Sequence, residues 1–348
     1  MTQYIGIDVH GKYSQVCIMD GEGTVLTNER WEHAEVSRLR ERLAQFPTAT
    51  QAVLEATGGW MWLAEELEAA GLQVHLAHAA KVRLIAEARL KTDKVDAWVL
   101  AQLLRTGFLP EAYLAPREVR DQRALLQHRQ ALVKMRTAVK NRIHALLRRF
   151  NLRLPFSDIF GVKGRQHLCG LALPRPYGKL LQDWLKLLEQ LEGRIRGAER
   201  RIRRQLSDDA RARMLMSLPG VGFLTAHLIL AEVGPIERFA SAKKLASYAG
   251  LCPSTRQSGA KTFHGRIGPA GRKYLKWALV ESAHTAARRD PYCARLYQRH
   301  SRSKGSGKAM VIVAHFLARM VWKVLKQGQP YEPQMSQAHP SVPVVAAQ

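Results

Sequence analysis

Short apolar runs alternate with amphipathic segments along the first 115 residues, and glycine or proline separates most of them. Apolar residues 4–7 and 16–19 flank Gly11 and Lys12, which predicts a hairpin of two strands. Further along, apolar residues at spacings of three and four predict amphipathic helices. The predicted elements are strands over 4–7, 16–19, 24–31, 51–55 and 73–77, and helices over 36–46, 60–70 and 79–105. This order predicts a mixed α/β domain over residues 1–115.

The next segment, residues 116–210, has helical periodicity. Apolar positions from Val119 to Phe150 mark one face of a long helix, and those from Trp184 to Ile202 repeat at alternating intervals of four and three. Such a repeat is typical of a coiled coil. A connector rich in proline and glycine, residues 151–177, separates the two helices. We expect them to pack as an antiparallel hairpin or against a second subunit.

Residues 211–327 are expected to form a mainly helical C-terminal domain. Helices are predicted over 211–217, 223–233, 242–249, 274–288 and 308–326, with polar or basic loops over 250–261, 262–272 and 299–308. Residues 328–348 are Pro-rich, contain little that could be buried, and are expected to be a disordered tail.

Composition narrows the class of protein. The chain has 348 residues, 46% of them hydrophobic, and no apolar run approaches eighteen residues, so we expect a soluble protein without a membrane span. The N-terminus enters a strand pattern without the features of a secretion signal. The four cysteines form no CxxC pair, which argues against a zinc ribbon and a disulfide framework. No P-loop motif is present, so nucleotide hydrolysis is not supported.

The charge is strongly uneven along the chain. Residues 1–115 contain 11 Lys and Arg against 15 Asp and Glu, whereas residues 116–348 contain 43 against 14. A generally basic surface would be the plainest explanation. An excess this large in one part of the chain favours a polyanion partner, and nucleic acid fits better than an anionic membrane because amphipathic interfacial patterning is missing.

Four carboxylates occupy places where an isolated charge is costly. Asp8 and Glu55 each end a predicted strand, and Asp93 and Asp96 share one face of a predicted helix that is otherwise apolar. Asp8 could instead cap a turn or pair with Lys12, and the two helix aspartates could belong to a solvated face. If all four converge, they form a site for two divalent metals, and oxygen ligands favour Mg²⁺ or Mn²⁺ over zinc.

The motifs YIGIDVH, VLEATGG and KTDKVDA together resemble the DEDD-type insertion-sequence transposases, a family of bridge-RNA-guided recombinases that is related to some DNA invertases. The resemblance implies an RNase H-like, RuvC-like fold for residues 1–115. It also implies that Asp8, Glu55, Asp93 and Asp96 are the metal-binding catalytic acids. The partners it implies are DNA and a guide RNA.

A serine in the C-terminal domain gains its significance from the same resemblance. By chemistry alone Ser258 is turn material without a nearby base. The family carries the pattern G-L-x-P followed by S-G, which is found here at residues 250–253 and 258–259. The resemblance therefore implies that Ser258 is a nucleophile that forms a phosphoserine link to DNA. Arg256, Lys261 and Arg266 would then hold the scissile phosphate. The acids and the serine could form one composite active site, either within a single chain or between two subunits.

Two further sets of residues are predicted to contact nucleic acid. Gly220 and Gly222, between two predicted helices, resemble a helix-hairpin-helix element whose backbone N–H groups bind phosphate, although such a pair is often only a tight turn. The long helix is coated with cations that exceed the acids available for pairing, although they could simply solvate a coiled-coil spacer. The candidates among them are Arg136, Lys140, Arg148 and Arg149.

Together these features predict a DNA transposase or recombinase that cleaves and rejoins strands. We expect a homo-oligomer, a dimer or tetramer, in the bacterial cytoplasm and associated with the nucleoid. One alternative is a metal-dependent nuclease similar to a junction resolvase, in which Ser258 is only a turn residue. The other is a nucleic-acid-binding protein without catalysis.

Overall fold

A computed structural model describes residues 2–56, 58–86, 92–258, 261–265, 267–268 and 271–332. The chain divides into two compact units, residues 1–115 and residues 116–348. The first is mixed α/β and the second is mainly helical. No helix in the described ranges has the length and apolar character needed to span a membrane.

The first unit is built on a six-stranded sheet. Its strands are β1 (Gln3–Val9), β2 (Tyr13–Asp20), β3 (Val25–Glu32), β4 (Gln51–Glu55), β5 (Gln73–Ala77) and β6 (Glu111–Ala112). Their order across the sheet is β3-β2-β1-β4-β5-β6. The pairs β1–β4 and β4–β5 are parallel and the other three are antiparallel. The strands β1 and β4 are therefore central.

Helices accompany this sheet, and its two faces have separate apolar clusters. The helices are α1 (Val36–Leu43), α2 (Trp60–Ala69), α3 (Ala79–Ile85) and α4 (Asp93–Arg105). Ile5 and Ile7 of β1 pack with the apolar residues of α1 and α2. Val53 of β4 packs with Leu100 of α4. Alternation along the strands separates the two clusters, because successive side chains point to opposite faces.

Gly6 allows α4 to lie very close to β1. A Cβ atom at this position would collide with the backbone of Ala97 and Ala101 in α4, and it would lie 2.9 Å from the Ala101 Cβ. The absence of a side chain at Gly6 and the small side chains at Ala97 and Ala101 therefore set the spacing between helix and sheet. This close approach carries the N-terminus of α4 to the end of β1.

The predicted helix over 79–105 is wrong as a single element. It is two helices, because the backbone leaves the helical conformation at Ala86 and is extended at Thr92, where α4 is capped. Residues 87–91, which include Leu90 and Lys91 of the predicted acidic helix, lie outside the described residues. Trp98, one of the apolar residues of this predicted helix, is exposed.

The second unit contains nine helices and one hairpin in its described ranges. The helices are α5 (Arg117–Arg149), α6 (Val162–Cys169), α7 (Tyr177–Leu206), α8 (Ala210–Leu215), α9 (Phe223–Val233), α10 (Ala242–Tyr248), α11 (Lys273–Arg289), α12 (Pro291–Lys304) and α13 (Ser306–Gln327). The hairpin strands are β7 (Thr255–Ser258) and β8 (Lys261–His264). A 3-10 turn, Ile236–Arg238, precedes α10.

The long helices α5 and α7 pack on each other as an antiparallel pair within the chain. Leu147 near the end of α5 shares a cluster with Leu181 near the start of α7. At the other end, Leu126 joins Ile202 and the apolar core of the C-terminal helices. The predicted connector contains the helix α6, whose Leu168 is fully buried between these elements.

Three sequence expectations for the C-terminal region need correction. The predicted flexible loop over 299–308 is helical except at Gly305, because α12 ends and α13 begins there. The predicted loops over 250–272 contain the hairpin β7–β8. Tyr331, in the predicted tail, packs against the C-terminal core, and its backbone N–H donates to Ser217 Oγ over 2.7 Å. Residues 333–348 of the tail lie outside the described residues.

Candidate functional site

The end of β1 and the start of α4 bring two distant carboxylates together. Ile7 is buried on the face that packs with α1 and α2, so the next residue, Asp8, lies on the opposite face. The helix α4 begins there with Asp93. Its N-cap is Thr92, whose side chain accepts a hydrogen bond from the Val95 N–H over 3.3 Å. A threonine cap therefore places Asp93 at the first helical position.

A histidine lies between these carboxylates. His10 Nε2 is 3.0 Å from Asp8 Oδ2 and 3.3 Å from Asp93 Oδ2. One ligand atom from each of the three residues lies within 4.8 Å of the others. The Asp8 side chain is only 13% exposed, whereas Asp93 is 42% exposed. The site therefore has a buried end at Asp8 and an open end at Asp93.

Asp93 is also held by Tyr13 at the start of β2. The Tyr13 hydroxyl donates a hydrogen bond to Asp93 Oδ2 over 2.9 Å. The Arg30 guanidinium carbon lies 3.4 Å from the centroid of the Tyr13 ring, and Arg30 Nε contacts Glu32 Oε1 at 2.7 Å. Stacking on a cation limits the motion of the ring. Tyr13 therefore contacts Arg30 with its ring and Asp93 with its hydroxyl group.

The electrostatics of the cluster favour a cation. Burial raises the pKa of the Asp8 carboxyl above its usual value, His10 lowers it, and the charges of Asp96 and Asp93 raise it further. The pKa of Tyr13 is raised chiefly by its hydrogen bond to Asp93. Negative charge is therefore concentrated at one point, and a bound cation would offset it.

The other two predicted acids lie next to this group. Ile7 pairs with Leu54 in the parallel ladder, so Glu55 follows at the position beside Asp8. Asp96 is three residues beyond Asp93 in α4, close enough for its charge to affect Asp8. Within the described residues, the group whose ligand atoms lie within 4.8 Å of one another contains Asp8, His10 and Asp93 but neither Glu55 nor Asp96.

The donor set of this cluster fits a divalent cation. Carboxylate oxygens are the preferred ligands of Mg²⁺ and Mn²⁺, and imidazole nitrogen is a common ligand of transition metals. The metal ligands predicted from the sequence were carboxylates alone and did not include His10. A signal was present, because residues two apart along an extended chain point to one side and His10, just beyond the end of β1, follows Asp8 by two.

The predicted nucleophile Ser258 is the last residue of β7. In the hairpin register Ser258 pairs with Lys261, which is exposed, and Arg256 pairs with Phe263. The side chains of Ser258 and Arg256 and the whole of Arg266 lie outside the described residues. Ser258 belongs to the second unit, whereas the acidic cluster belongs to the first.

An ion pair with a buried carboxylate, Glu232–Arg272, was not predicted from the sequence. Glu232 on α9 is fully buried, and its Oε2 accepts a hydrogen bond from Arg272 Nε over 2.8 Å. Gln127 Nε2 lies 3.3 Å from the other carboxylate oxygen. The backbone N–H of Arg272 donates to the Tyr248 carbonyl over 3.0 Å. Arg272 directly precedes α11, so the pair fixes the point at which the chain returns from the hairpin to the helical core.

The two glycines between α8 and α9 have different surroundings. Gly220 has φ +81°, and a Cβ atom there would collide with the Ser282 carbonyl oxygen of α11. Gly222 is the N-cap of α9, and among the described residues no atom outside its own stretch of chain lies within 4 Å of the place its Cβ would take. Gly220 is therefore required for packing, whereas Gly222 stands at an open helix N-terminus.

Two of the predicted nucleic-acid contacts on α5 stack on aromatic rings. Lys140 Nζ lies 4.6 Å from the ring centroid of Phe160, and Arg149 Cζ lies 4.8 Å from that of Tyr177. Such stacking leaves a cation able to contact a second, anionic group on its other side. These contacts order the two cationic side chains.

The other predicted cations on α5 differ in exposure. Arg148 is exposed, whereas Arg136 is half-buried and its Nε atom is inaccessible to solvent. Arg129 in the same helix pairs with Glu199 of α7, with Nε 3.0 Å from Oε1. Some cations of α5, such as Arg129, therefore pair with α7, whereas others, such as Arg148, are exposed to solvent.

Comparison with known proteins now connects these features. Residues 5–152 match the family model DEDD_Tnp_IS110, described as "Transposase", and residues 212–298 match the model described as "Transposase IS116/IS110/IS902 family". The chain belongs to the IS110 family of DEDD transposases. The first match contains the acidic cluster, and the second contains the hairpin with Ser258.

Relatives of this IS110-family chain match it over nearly its whole length. It is 28% identical to a "Probable family 20 transposase" of Pseudomonas aeruginosa, with 94% of this chain and 98% of the relative covered. It is 27% identical to the "Transposase for insertion sequence element IS1328" of Yersinia enterocolitica, with 93% and 97% covered. It is 25% identical to the "Pilin gene-inverting protein" of Moraxella lacunata, with 94% and 97% covered.

Proposed function

We propose that this chain is a DNA transposase or recombinase that cleaves and rejoins DNA strands, using the acids of the first unit and Ser258 of the second. The observation that carries the proposal is the meeting of Asp8 and Asp93 around His10, in a chain that belongs to a transposase family. A sheet whose central strand β1 pairs with antiparallel β2 and parallel β4 supports an RNase H-like, RuvC-like fold for residues 1–115.

The acids would hold Mg²⁺ or Mn²⁺. Asp8 and Asp93 belong to the group whose ligand atoms lie within 4.8 Å of one another, and Glu55 and Asp96 would complete the set of four. When bound, a divalent ion stabilises the charge that develops on phosphate oxygens during phosphoryl transfer. Tyr13 keeps Asp93 in one orientation for this task.

Ser258 would supply the nucleophile. Its hydroxyl oxygen attacks the scissile phosphorus and loses its proton, and the bond from phosphorus to the deoxyribose oxygen breaks, so that this oxygen leaves as a hydroxyl group. Attack by a deoxyribose hydroxyl on the phosphoserine reverses the step and releases the serine, which rejoins the strand. Arg256, Lys261 and Arg266 would hold the phosphate by charge.

The second unit would bind the nucleic acids. Its large cationic excess supports DNA contact, and the ordered cations Lys140 and Arg149, with Arg136 and Arg148 on the same helix, are candidates for DNA or guide-RNA phosphates. Gly222, at the open N-terminus of α9, would contribute backbone N–H groups in a helix-hairpin-helix element, and Gly220 would shape the turn. A homo-oligomer is part of the proposal.

Incubation with supercoiled plasmid carrying the element ends, with and without the RNA encoded beside the gene, tests the proposal. Wild-type protein should cut the DNA and leave a protease-sensitive protein–DNA adduct that survives denaturant. Ser258→Ala should abolish the adduct and the joined products, and Asp8→Asn should abolish cutting. Ser254→Ala, a nearby serine in the same segment, is the matched control and should behave as wild type.

A metal-dependent nuclease that uses water is the second candidate, because the acidic cluster is assembled within the first unit alone. Cutting by Ser258→Ala at the wild-type rate, without adduct in either protein, would establish it. A binding protein without catalysis would remain if Asp8→Asn combined with Asp93→Asn left the biological output unchanged.

A further inference from the structure

We propose that His10 Nε2 is a ligand of the metal held by Asp8 and Asp93, and that this nitrogen makes the site bind Mn²⁺ in preference to Mg²⁺. The inference rests on the proposed metal site and extends it to a residue outside the four acids. It follows from the place of His10 between the two carboxylates.

The distances suit three ligands of one ion. Two ligands that lie about 2.1 Å from an ion, at right angles to each other, are separated by about 3.0 Å. His10 Nε2 is 3.0 Å from Asp8 Oδ2 and 3.3 Å from Asp93 Oδ2. The observed separations therefore match neighbouring positions in a single coordination sphere.

The position of His10 is determined by its surroundings. Its backbone N–H donates to the Tyr13 carbonyl over 2.9 Å, which closes the turn between β1 and β2. Its ring packs against the Tyr13 ring, with the centroids 4.7 Å apart. The ring is 36% exposed, so an ion and its remaining water ligands have access. The imidazole is therefore held in place before any ion binds.

A nitrogen ligand changes which metal ion the site prefers. Mg²⁺ binds oxygen almost exclusively and keeps several waters, whereas Mn²⁺ lies in the series of transition ions that accept imidazole. A site of acids alone would bind either ion with little discrimination. With His10 as a ligand, the ratio of the Mg²⁺ to the Mn²⁺ dissociation constant should be raised.

An imidazolium ion that bridges both carboxylates would have similar distances. In that arrangement His10 would occupy the place of the cation and compete with it, so removal of the ring would strengthen metal binding or leave it unchanged. The ligand and the competitor therefore predict opposite effects of the same substitution.

Binding of Mn²⁺ and, separately, of Mg²⁺ to the full chain, measured by calorimetry, with pulsed electron paramagnetic resonance on the Mn²⁺-bound protein, tests the proposal. Wild-type protein should show ¹⁴N coupling from a directly bound imidazole. His10→Ala should lose this coupling and raise the Mn²⁺ dissociation constant about tenfold or more. His10→Gln, which offers an oxygen, should retain Mg²⁺ binding and lose the coupling. The matched control is His78→Ala, at an exposed histidine of the same unit.

The outcomes separate this inference from the proposed function. Bound Mn²⁺ that is lost in Asp8→Asn but shows no ¹⁴N coupling would overturn the role of His10 and leave the acidic site intact. Tighter Mn²⁺ binding by His10→Ala would identify His10 as the competing cation. If neither wild type nor Asp8→Asn bound Mn²⁺ or Mg²⁺, the metal site itself would be refuted.

Discussion

The Tyr13 hydroxyl donates to Asp93 Oδ2 across 2.9 Å, and this bond joins the start of β2 to the first residue of α4. Tyr13→Phe removes the donor and keeps the ring on Arg30. We expect metal affinity to fall about tenfold, because removing a group that orients a metal ligand typically lowers the affinity by about that factor. The free energy of unfolding should fall by only about 1 kcal/mol. Calorimetric Mn²⁺ titration and thermal unfolding measure the two effects, with Tyr4→Phe on the neighbouring strand as control. Unaltered affinity in Tyr13→Phe would mean that Asp93 needs no orienting partner.

Gly6→Ala should weaken metal binding although Gly6 is not itself a proposed ligand. The new methyl group would collide with the backbone of Ala97 and Ala101, so α4 must move away from β1 and take Asp93 with it. We expect a loss of about 1–3 kcal/mol in the free energy of unfolding and much weaker metal binding. Gly11→Ala is the matched control, because in the described part of the chain no atom other than those of Gly11 and its two neighbours lies within 4 Å of its Cβ position. Equal free energies of unfolding and equal metal affinities of the two variants would contradict the close packing of α4 on β1.

Gly220 and Gly222 should respond differently to substitution. Gly220→Ala meets the Ser282 carbonyl at a positive φ, and we expect it to lower the free energy of unfolding by about 1–2 kcal/mol or more. Gly222→Ser and Gly222→Asp both supply an N-cap side chain to α9 and should keep or raise stability.

DNA binding then tests whether α9 contacts phosphate. If the open N-terminus of α9 faces DNA, Gly222→Asp should weaken binding through charge repulsion, while the neutral Gly222→Ser retains it. Fluorescence anisotropy at several salt concentrations gives both affinities. Equal DNA affinity of the two variants would remove the helix-hairpin-helix proposal without affecting the acidic cluster.

The ion pair between the buried Glu232 and the partly exposed Arg272 should stabilise the second unit. Glu232→Ala leaves Arg272 without its carboxylate, and the loss of a buried pair costs about 3–5 kcal/mol. We expect the lower end of that range because Arg272 is 40% exposed and water can solvate it. A double-mutant cycle of Glu232→Met and Arg272→Met, followed by chemical denaturation, measures the coupling. A coupling energy near zero would show that the contact adds no stability.

Short apolar segments bounded by glycine or proline were predicted well. The strands over 51–55 and 73–77 and the helix over 223–233 have the bounds that their patterns indicated. The prediction of one helix over residues 79–105 failed because apolar residues recur at helical spacing both before Ala86 and after Thr92. Only the N-cap residue Thr92 marks in the sequence that a new helix begins. Similarly, α12 was missed because its basic residues hide the periodicity. Its start is nevertheless marked by Asp290, which accepts from the Cys293 N–H over 2.8 Å ahead of a proline at the first turn.

The geometry of the candidate site could not be predicted from the sequence, because it depends on tertiary contacts. The approach of Asp93 to Asp8 depends on Gly6, and no local pattern reveals that the helix packs on this glycine. Glu232 could have been noticed as a lone acid in an apolar helix that needs a cation. Its partner Arg272 is 40 positions away and is one of many arginines, so the pairing could not be assigned from spacing.

The continuity of α5 has a mechanical meaning. Its 33 residues extend about 50 Å without interruption, and the same helix contributes Leu147 to the cluster at one end and Leu126 to the C-terminal core at the other. It packs along α7 and is not interrupted by any loop. We therefore expect a displacement of the helix near Arg149 to be transmitted to the C-terminal core that contains Leu126.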